Sequence, residues 1–386
     1  MLKDGKRMLA YVAVINDIKP LEGYDRVEYA QVGGWQVIVS KSDNFKVGDL
    51  CVYFEVDSKV NSKDKRFAFL EKKHYKIKTQ KMCKVFSQGL VMPLSVFPEI
   101  KNPEVNMDLT DLLKVTYSVE EDNYRKASSK QLKYSSMCAR HQKLFKKQPF
   151  RWLMRREWGR KIMFFFFGKK KDKPREFPSF IKKTDEDRIE NQPWRLEEDK
   201  EYLMTEKLDG TSCTYALKRK GRRKFEFFVC SRNVRQKDEN QKCYHDTNIY
   251  WYLAFKYNIE SHLTEYLLTH PECDWVCVQG EGVGSVQGNP LKLEEDDLYL
   301  FNFIDSVNGR YSSQEGVLNT YPWGIKWVPI LGTTKLPKTM EEMKQLATGK
   351  SVVNPSVMRE GIVYRSLDGK DSFKNVSREY LLKHNG

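Results

Sequence analysis

Residues 118–176 hold 18 Lys or Arg against six Asp or Glu (Glu120, Glu121, Asp122, Glu157, Asp172 and Glu176), a net +12 of the whole chain's formal +15. Crowded like charges repel one another and resist burial. The block therefore divides this chain of 386 residues into a front part, residues 1–117, a basic connector, 118–176, and a back part, 177–386, with length enough for two or three cores. Aromatic residues make up 13% of the chain, too many for a basic disordered tail. A basic, aromatic-rich surface favours polyanions, nucleic acid first and anionic membrane second. The eight cysteines are scattered, with no C-x-x-C and no His pair at zinc spacing, and read as reduced core thiols. Met8 to Ile15 is apolar but is interrupted by Asn16 and Asp17. It is too short for a signal peptide or a membrane span, which predicts an intracellular protein, cytoplasmic or nuclear.

The front part reads as short strands. Gln31-Val32 and Trp35 to Val39 flank Gly33-Gly34, the glycine pair of a tight hairpin. Leu50, Val52, Phe54 and Val56 alternate with Cys51, Tyr53, Glu55 and Asp57, as in a half-buried strand. A small antiparallel barrel of OB type accounts for both, and Lys72 to Lys81 would place cations beside Tyr75 on a nucleic-acid surface or simply in solvent. In the connector, Arg151 to Phe167 reads as one basic helix with apolar positions. Nucleic-acid contact is the first reading for it, with peripheral membrane contact and packing against a domain as alternatives. The back part alternates strands and helices, and Ile249 to Leu268 has helical apolar spacing that stops at His270-Pro271.

One stretch carries chemistry. Tyr202-Leu203-Met204-Thr205-Glu206-Lys207-Leu208-Asp209-Gly210-Thr211-Ser212 is strand-like and ends in a lysine, an acid and a glycine. As a nucleophile, Lys207 must shed its proton, so desolvation or converging cations should lower its pKa. Asp209 falls on the same side of an extended backbone. Gly210 allows a sharp turn where a nucleotide can come close. By itself K-x-D-G arises by chance in about one chain in ten of this length. Ser366-Leu367-Asp368-Gly369 is such a look-alike, without the lysine.

Five further features follow in order. Phe227 to Cys230 ends at Ser231-Arg232-Asn233, and Val276 to Gly280 runs into Glu281 within Gly280-Glu281-Gly282-Val283-Gly284. Leu298 to Ile304 sets aromatics, Phe301 among them, on one face of a strand. Arg359-Glu360-Gly361 opens another strand, and Ser372-Phe373-Lys374 closes the series. Together these resemble the six nucleotidyl-transfer motifs of the covalent nucleotidyltransferases, the ATP-dependent ligases and mRNA capping enzymes. Ser212 where DNA ligases and capping enzymes usually carry Arg, and Gln287-Gly288-Asn289 beyond Glu281, are similar to the RNA ligases. Gly34-Trp35-Gln36-Val37, Lys46 to Glu55, Ser87-Gln88-Gly89-Leu90 and Lys183-Thr184-Asp185-Glu186 resemble the branch with its OB module in front. One departure is Val376, where many relatives have a second lysine after Lys374.

The resemblance implies an α+β protein, an N-terminal OB-type β-barrel followed by an adenylyltransferase domain of antiparallel sheets flanked by helices. It implies ATP and Mg2+ or Mn2+ as cofactors, and as partner an RNA with 3'-hydroxyl and 5'-phosphate ends, nicked duplex included. Lys207 would carry AMP. Lys374 and Arg232 would meet phosphate, Glu281 the ribose and Phe301 the adenine, with the backbone around Glu206 at the adenine edge. Glu360, and Asp209 through water, would face the metal. A capping-type guanylyltransferase and a catalytically idle OB-type RNA-binding protein are the alternatives.

Overall fold

The computed structural model describes residues 1–3, 6–117, 147–167, 175–221, 223–236, 248–310, 320–369 and 371–384. Most of the basic connector, with Cys138 and Cys243, lies outside these. The chain forms two compact units, residues 1–116 with 175–386, and residues 117–174.

The front part is built on β1 (Ala10–Pro20), β2 (Val27–Val32), β3 (Trp35–Ser40), β4 (Leu50–Phe54) and β5 (Leu90–Pro93), in the sheet order β5-β4-β1-β2-β3. The glycine pair forms the expected two-residue hairpin, with Val32 opposite Trp35. A register shift between Ile15 and Asp17 lets β1 pair with β4 along its first half and with β2 along its second. Such an irregularity bends a long strand and curls the sheet. The curled edges meet where the Gln88 N–H donates to the Gln36 carbonyl at 2.7 Å and the Ile38 N–H donates to Ser87 Oγ at 3.0 Å. Alternation fills the inside with Ile15, Val32, Trp35, Val37, Cys51 and Tyr53. This is the expected OB-type barrel.

The back part holds two sheets. The larger has β7 (Thr211–Gly221), β8 (Lys224–Cys230), β9 (Trp275–Val283) and β10 (Asp297–Asp305) at its centre in the order β8-β7-β9-β10. The smaller is antiparallel through β11 (Ile330–Lys335), β6 (Glu201–Lys207), β12 (Gly361–Ser366) and β13 (Ser372–Val376), with Asp187–Arg188 parallel to β13. The chain crosses from the smaller sheet to the larger one through Leu208-Asp209-Gly210, so Lys207 ends a strand at their junction.

Two expectations about helices are corrected. In the second unit, the stretch read as one basic helix is α1 (Gln148–Arg155) and α2 (Glu157–Phe167), interrupted where Arg156 is extended at φ −103° and ψ 140°. The helix expected over Ile249 to Leu268 is α3 (Ile249–Lys256) and α4 (Ile259–Thr269), broken by Asn258 in the left-handed region at φ 44°. Asparagine visits that region more readily than most residues. The break lets both helices bury apolar faces on the larger sheet, Leu253, Ile259, Leu263 and Leu267 packing with Val276, Val278, Leu298 and Phe303. Farther on are α5 (Met340–Ala347) and α6 (Arg378–His384). All six cysteines within the described residues are free thiols, five of them buried.

The barrel and the sheets of the back part share a polar seam. Trp35 Nε1 donates to Asn191 Oδ1 at 2.7 Å, Asn191 Nδ2 donates to Glu55 Oε1 at 2.9 Å, and Arg188 pairs with Asp57 at 2.9 Å. Gly34 abuts Glu190 so closely that a Cβ there would lie 2.7 Å from the Glu190 backbone. Glu190 in turn is ion-paired with Lys344 of α5, both fully buried. Burial lowers the Lys344 pKa to about 8, against the pull of Glu190.

Candidate active site

Strand pairing brings the distant motifs to one place. Lys207, last residue of β6, lies opposite Gly361 in β12, which puts Glu360 beside it across 153 residues of sequence. Lys207 Nζ donates to Glu360 Oε2 at 2.5 Å. Ser212 of β7 is paired with Glu281 of β9, carrying that carboxylate toward the same lysine. Lys374 is paired with Val363 on one side and with Arg188 on the other.

The electrostatics differ from the sequence expectation. Burial opposes the charge on Lys207, but Glu360, Glu281 and Asp209 outweigh it and raise the lysine pKa above its ordinary value. Glu281 is pushed up to about 8, by burial first and then by Glu360 and Asp209, with Lys207 opposing. Burial likewise raises the Glu360 carboxyl. The cations gather instead on Lys374, whose pKa falls to about 7 through burial and then Arg7 and Arg188, partly opposed by Asp185. Anions surround Lys207 because the strand register sets Glu281, within β9, and Glu360, just before β12, next to it. Converging cations alone do not supply the unprotonated lysine.

Gly210 also has a different reason. It is not among the residues with positive φ. A side chain there would strike the Gly282 carbonyl and the Glu281 side chain, so glycine is required by the approach of β9 to the Lys207 turn. Arg232 pairs with Asp185, and Lys374 Nζ lies 3.8 Å from the same carboxylate. Burial would raise the Asp185 pKa, but Lys374 and Arg232 hold it down to about 2. The Glu206 amide donates to the Pro329 carbonyl at 2.8 Å, so this N–H is engaged within the sheet. The Glu206 side chain is buried, and its Oε2 accepts from the Val352 N–H at 2.8 Å. Thr184 and Ser212 hydroxyls are 2.7 Å apart.

Phe301 occupies a β-bulge, since Gly280 pairs with Leu300 and Gln279 with Asn302. An extra residue turns the following side chains over. Tyr299 and Phe301 therefore pack with Leu208 and Val283 near the lysine, while Phe303 joins the core under α3 and α4. The expectation of aromatics on one face fails at this bulge.

Sequence reasoning assigned no role to Asp185, Arg188, Arg7 or Tyr380. Tyr380, buried on α6, donates its hydroxyl to Asp209 Oδ2 at 2.7 Å. Asp185 stood within a quoted motif, but nothing local marks a tyrosine in the last helix. Tyr380→Phe removes one hydrogen bond to a charged group, about 1.5–3 kcal/mol where it is fully expressed. The expected result is a protein that still folds, with a lowered melting temperature and an activity reduced about tenfold or more; an activity equal to wild type would mean that Asp209 needs no such support.

Residues 200–383 match the RNA ligase family, and residues 9–94 match an OB-fold domain family. A structure of Naegleria gruberi RNA ligase with pyrophosphate shares 28% identity, covers 98% of this chain and 99% of its own, and superposes with a TM-score of 0.73. The same enzyme with ATP and Mn, as a lysine-to-alanine variant, gives the same identity, coverage and TM-score. Another variant, with AMP and Mn, is 27% identical, with 98% and 99% coverage and a TM-score of 0.72. The chain belongs to the ATP-dependent RNA ligases that carry an amino-terminal OB-fold domain. No curated protein sequence matches this ligase.

A divalent cation fits this ligase on chemical grounds. Three carboxylates bear on one lysine, and burial with Glu360 and Asp209 pushes the Glu281 carboxyl up, so a further positive charge beside them would favour its ionised form. Among the described residues no group of three or more His, Cys, Asp or Glu forms a cage for a metal ion. Mg2+ and Mn2+ are held by one or two carboxylates, water and substrate phosphates.

Proposed function

We propose that this RNA ligase joins a 3'-hydroxyl to a 5'-phosphate through lysyl-AMP and RNA-adenylate intermediates, in RNA repair. The observation that carries the reading is the Lys207 amine placed between Glu360 and Glu281 at the junction of the two sheets.

Lys207 Nζ attacks the α-phosphorus of ATP; an N–P bond forms, the bond to the β-phosphate bridging oxygen breaks, and pyrophosphate leaves. The RNA 5'-phosphate then takes the AMP from Lys207, and the 3'-hydroxyl displaces AMP from the RNA. Glu360, and Asp209 through water, would hold Mg2+ or Mn2+. When bound, the cation neutralises these carboxylates and the phosphate charge, which lets Lys207 lose its proton. Lys374 stabilises the charge that develops on the α-phosphate, with Arg232 beside it. Glu281 binds the ribose hydroxyls and Phe301 stacks on adenine. The backbone around Glu206 lies at the adenine edge, through groups other than the Glu206 N–H, which the Pro329 carbonyl already holds. Residues 1–117 are the OB-type nucleic-acid-binding domain, 118–176 the connector and 177–386 the adenylyltransferase domain.

Incubation with α-labelled ATP or GTP, followed by a nicked RNA duplex bearing 3'-hydroxyl and 5'-phosphate ends, tests the reading. Label from ATP alone, chased into sealed product, is the expected result. Label from GTP alone would establish a guanylyltransferase, and no label from either an idle RNA-binding protein.

A further inference from the structure

The helix pair of the second unit shows a surface that the ligase chemistry leaves unused. Phe165 and Phe166 are 83% and 70% exposed, and Trp152, Trp158 and Ile162 are about half exposed. Trp158, Ile162 and Phe165 recur at helical spacing, so they form one apolar stripe along α2. Arg156 and Lys161 are exposed beside it, and residues 168–173 of the sequence add four lysines against one aspartate.

This geometry disfavours stacked bases. Phe165 and Phe166 meet edge to face at 87°, and Trp152 and Trp158 at 80°, so neither pair offers parallel planes to successive bases. The Arg156 guanidinium already lies 4.0 Å from the centre of the Trp152 ring. Single-strand binders need open aromatic faces along a basic groove. Exposed Phe and Trp flanked by Lys and Arg match instead the bilayer interface, where rings enter the acyl boundary and cations meet anionic headgroups. No helix among the described residues is long and apolar enough to cross a membrane, so contact at this surface is with one leaflet. We infer that residues 148–167 form a docking surface for an anionic lipid bilayer, holding the ligase at a membrane surface.

Flotation of the full-length protein with vesicles of phosphatidylcholine, with and without about 30% phosphatidylglycerol, tests this inference, alongside lipid-free RNA binding and nick sealing. Wild type should float with the anionic vesicles only. The double substitution Phe165→Ser and Phe166→Ser should lower the bound fraction at least tenfold while lipid-free nick sealing, which also reports folding, stays unchanged. Absence of wild-type flotation would overturn the inference, as would flotation undiminished by the double substitution. Weakened lipid-free RNA binding by that variant would make the surface an RNA site and overturn it equally.

Discussion

Replacing Lys207 with methionine should abolish covalent labelling by α-labelled ATP, with no product of the first step above background. Methionine keeps an unbranched side chain but has no amine to form the N–P bond. It also removes the cation between Glu360, Glu281 and Asp209, so Lys207→Arg is the companion variant, retaining the charge without a usable nucleophile. Both should stay folded by thermal unfolding. Both should also seal a nicked duplex supplied with its 5' end already adenylylated far better than they seal one supplied with ATP, because that substrate bypasses the lysine. Labelling in either folded variant would place the nucleophile elsewhere.

Lys374→Ala should lower adenylylation by about a hundredfold or more, the scale of losing one preorganised charge contact. Glu360→Ala should do the same by removing the partner 2.5 Å from Lys207. The pH dependence gives Lys374 a separate signature. Its pKa is lowered to about 7, so the free enzyme loses this cation as pH rises through 7. The kcat/KM for ATP, which reports groups of the free enzyme, should therefore carry a falling limb above that pH. Lys374→Arg stays charged throughout and should lose that limb. Its persistence in the arginine variant would assign it to another group.

The electrostatic reversal has a consequence for the role of the front domain. Arg7 from the barrel end and Arg188 from the seam both act on Lys374, while Asp57 and Glu55 of the barrel bind Arg188 and Asn191. The OB-fold domain thus shapes the field at Lys374. A break after residue 176 would strip these partners from buried groups.

Elements that depend on local pattern were legible in the sequence. Alternation marked Leu50–Phe54, Gly33-Gly34 marked a two-residue hairpin, and the order of Lys207, Arg232, Glu281, Phe301, Glu360 and Lys374 marked the family. These signals survive because side-chain period and turn chemistry act over a few residues. Helix breaks at Arg156 and Asn258 were hidden, since apolar spacing continues across a single residue that leaves the helical region. What surrounds the lysine depends on long-range strand pairing. Pairing of Lys207 with Gly361, and of Ser212 with Glu281, brings carboxylates to it from positions far along the chain. The bulge at Phe301 separates Phe303 from its neighbours, and Tyr380 reaches Asp209 from the last helix. Charge on a buried group is fixed by what lies within a few ångströms in space, and neither spacing nor composition records those distances.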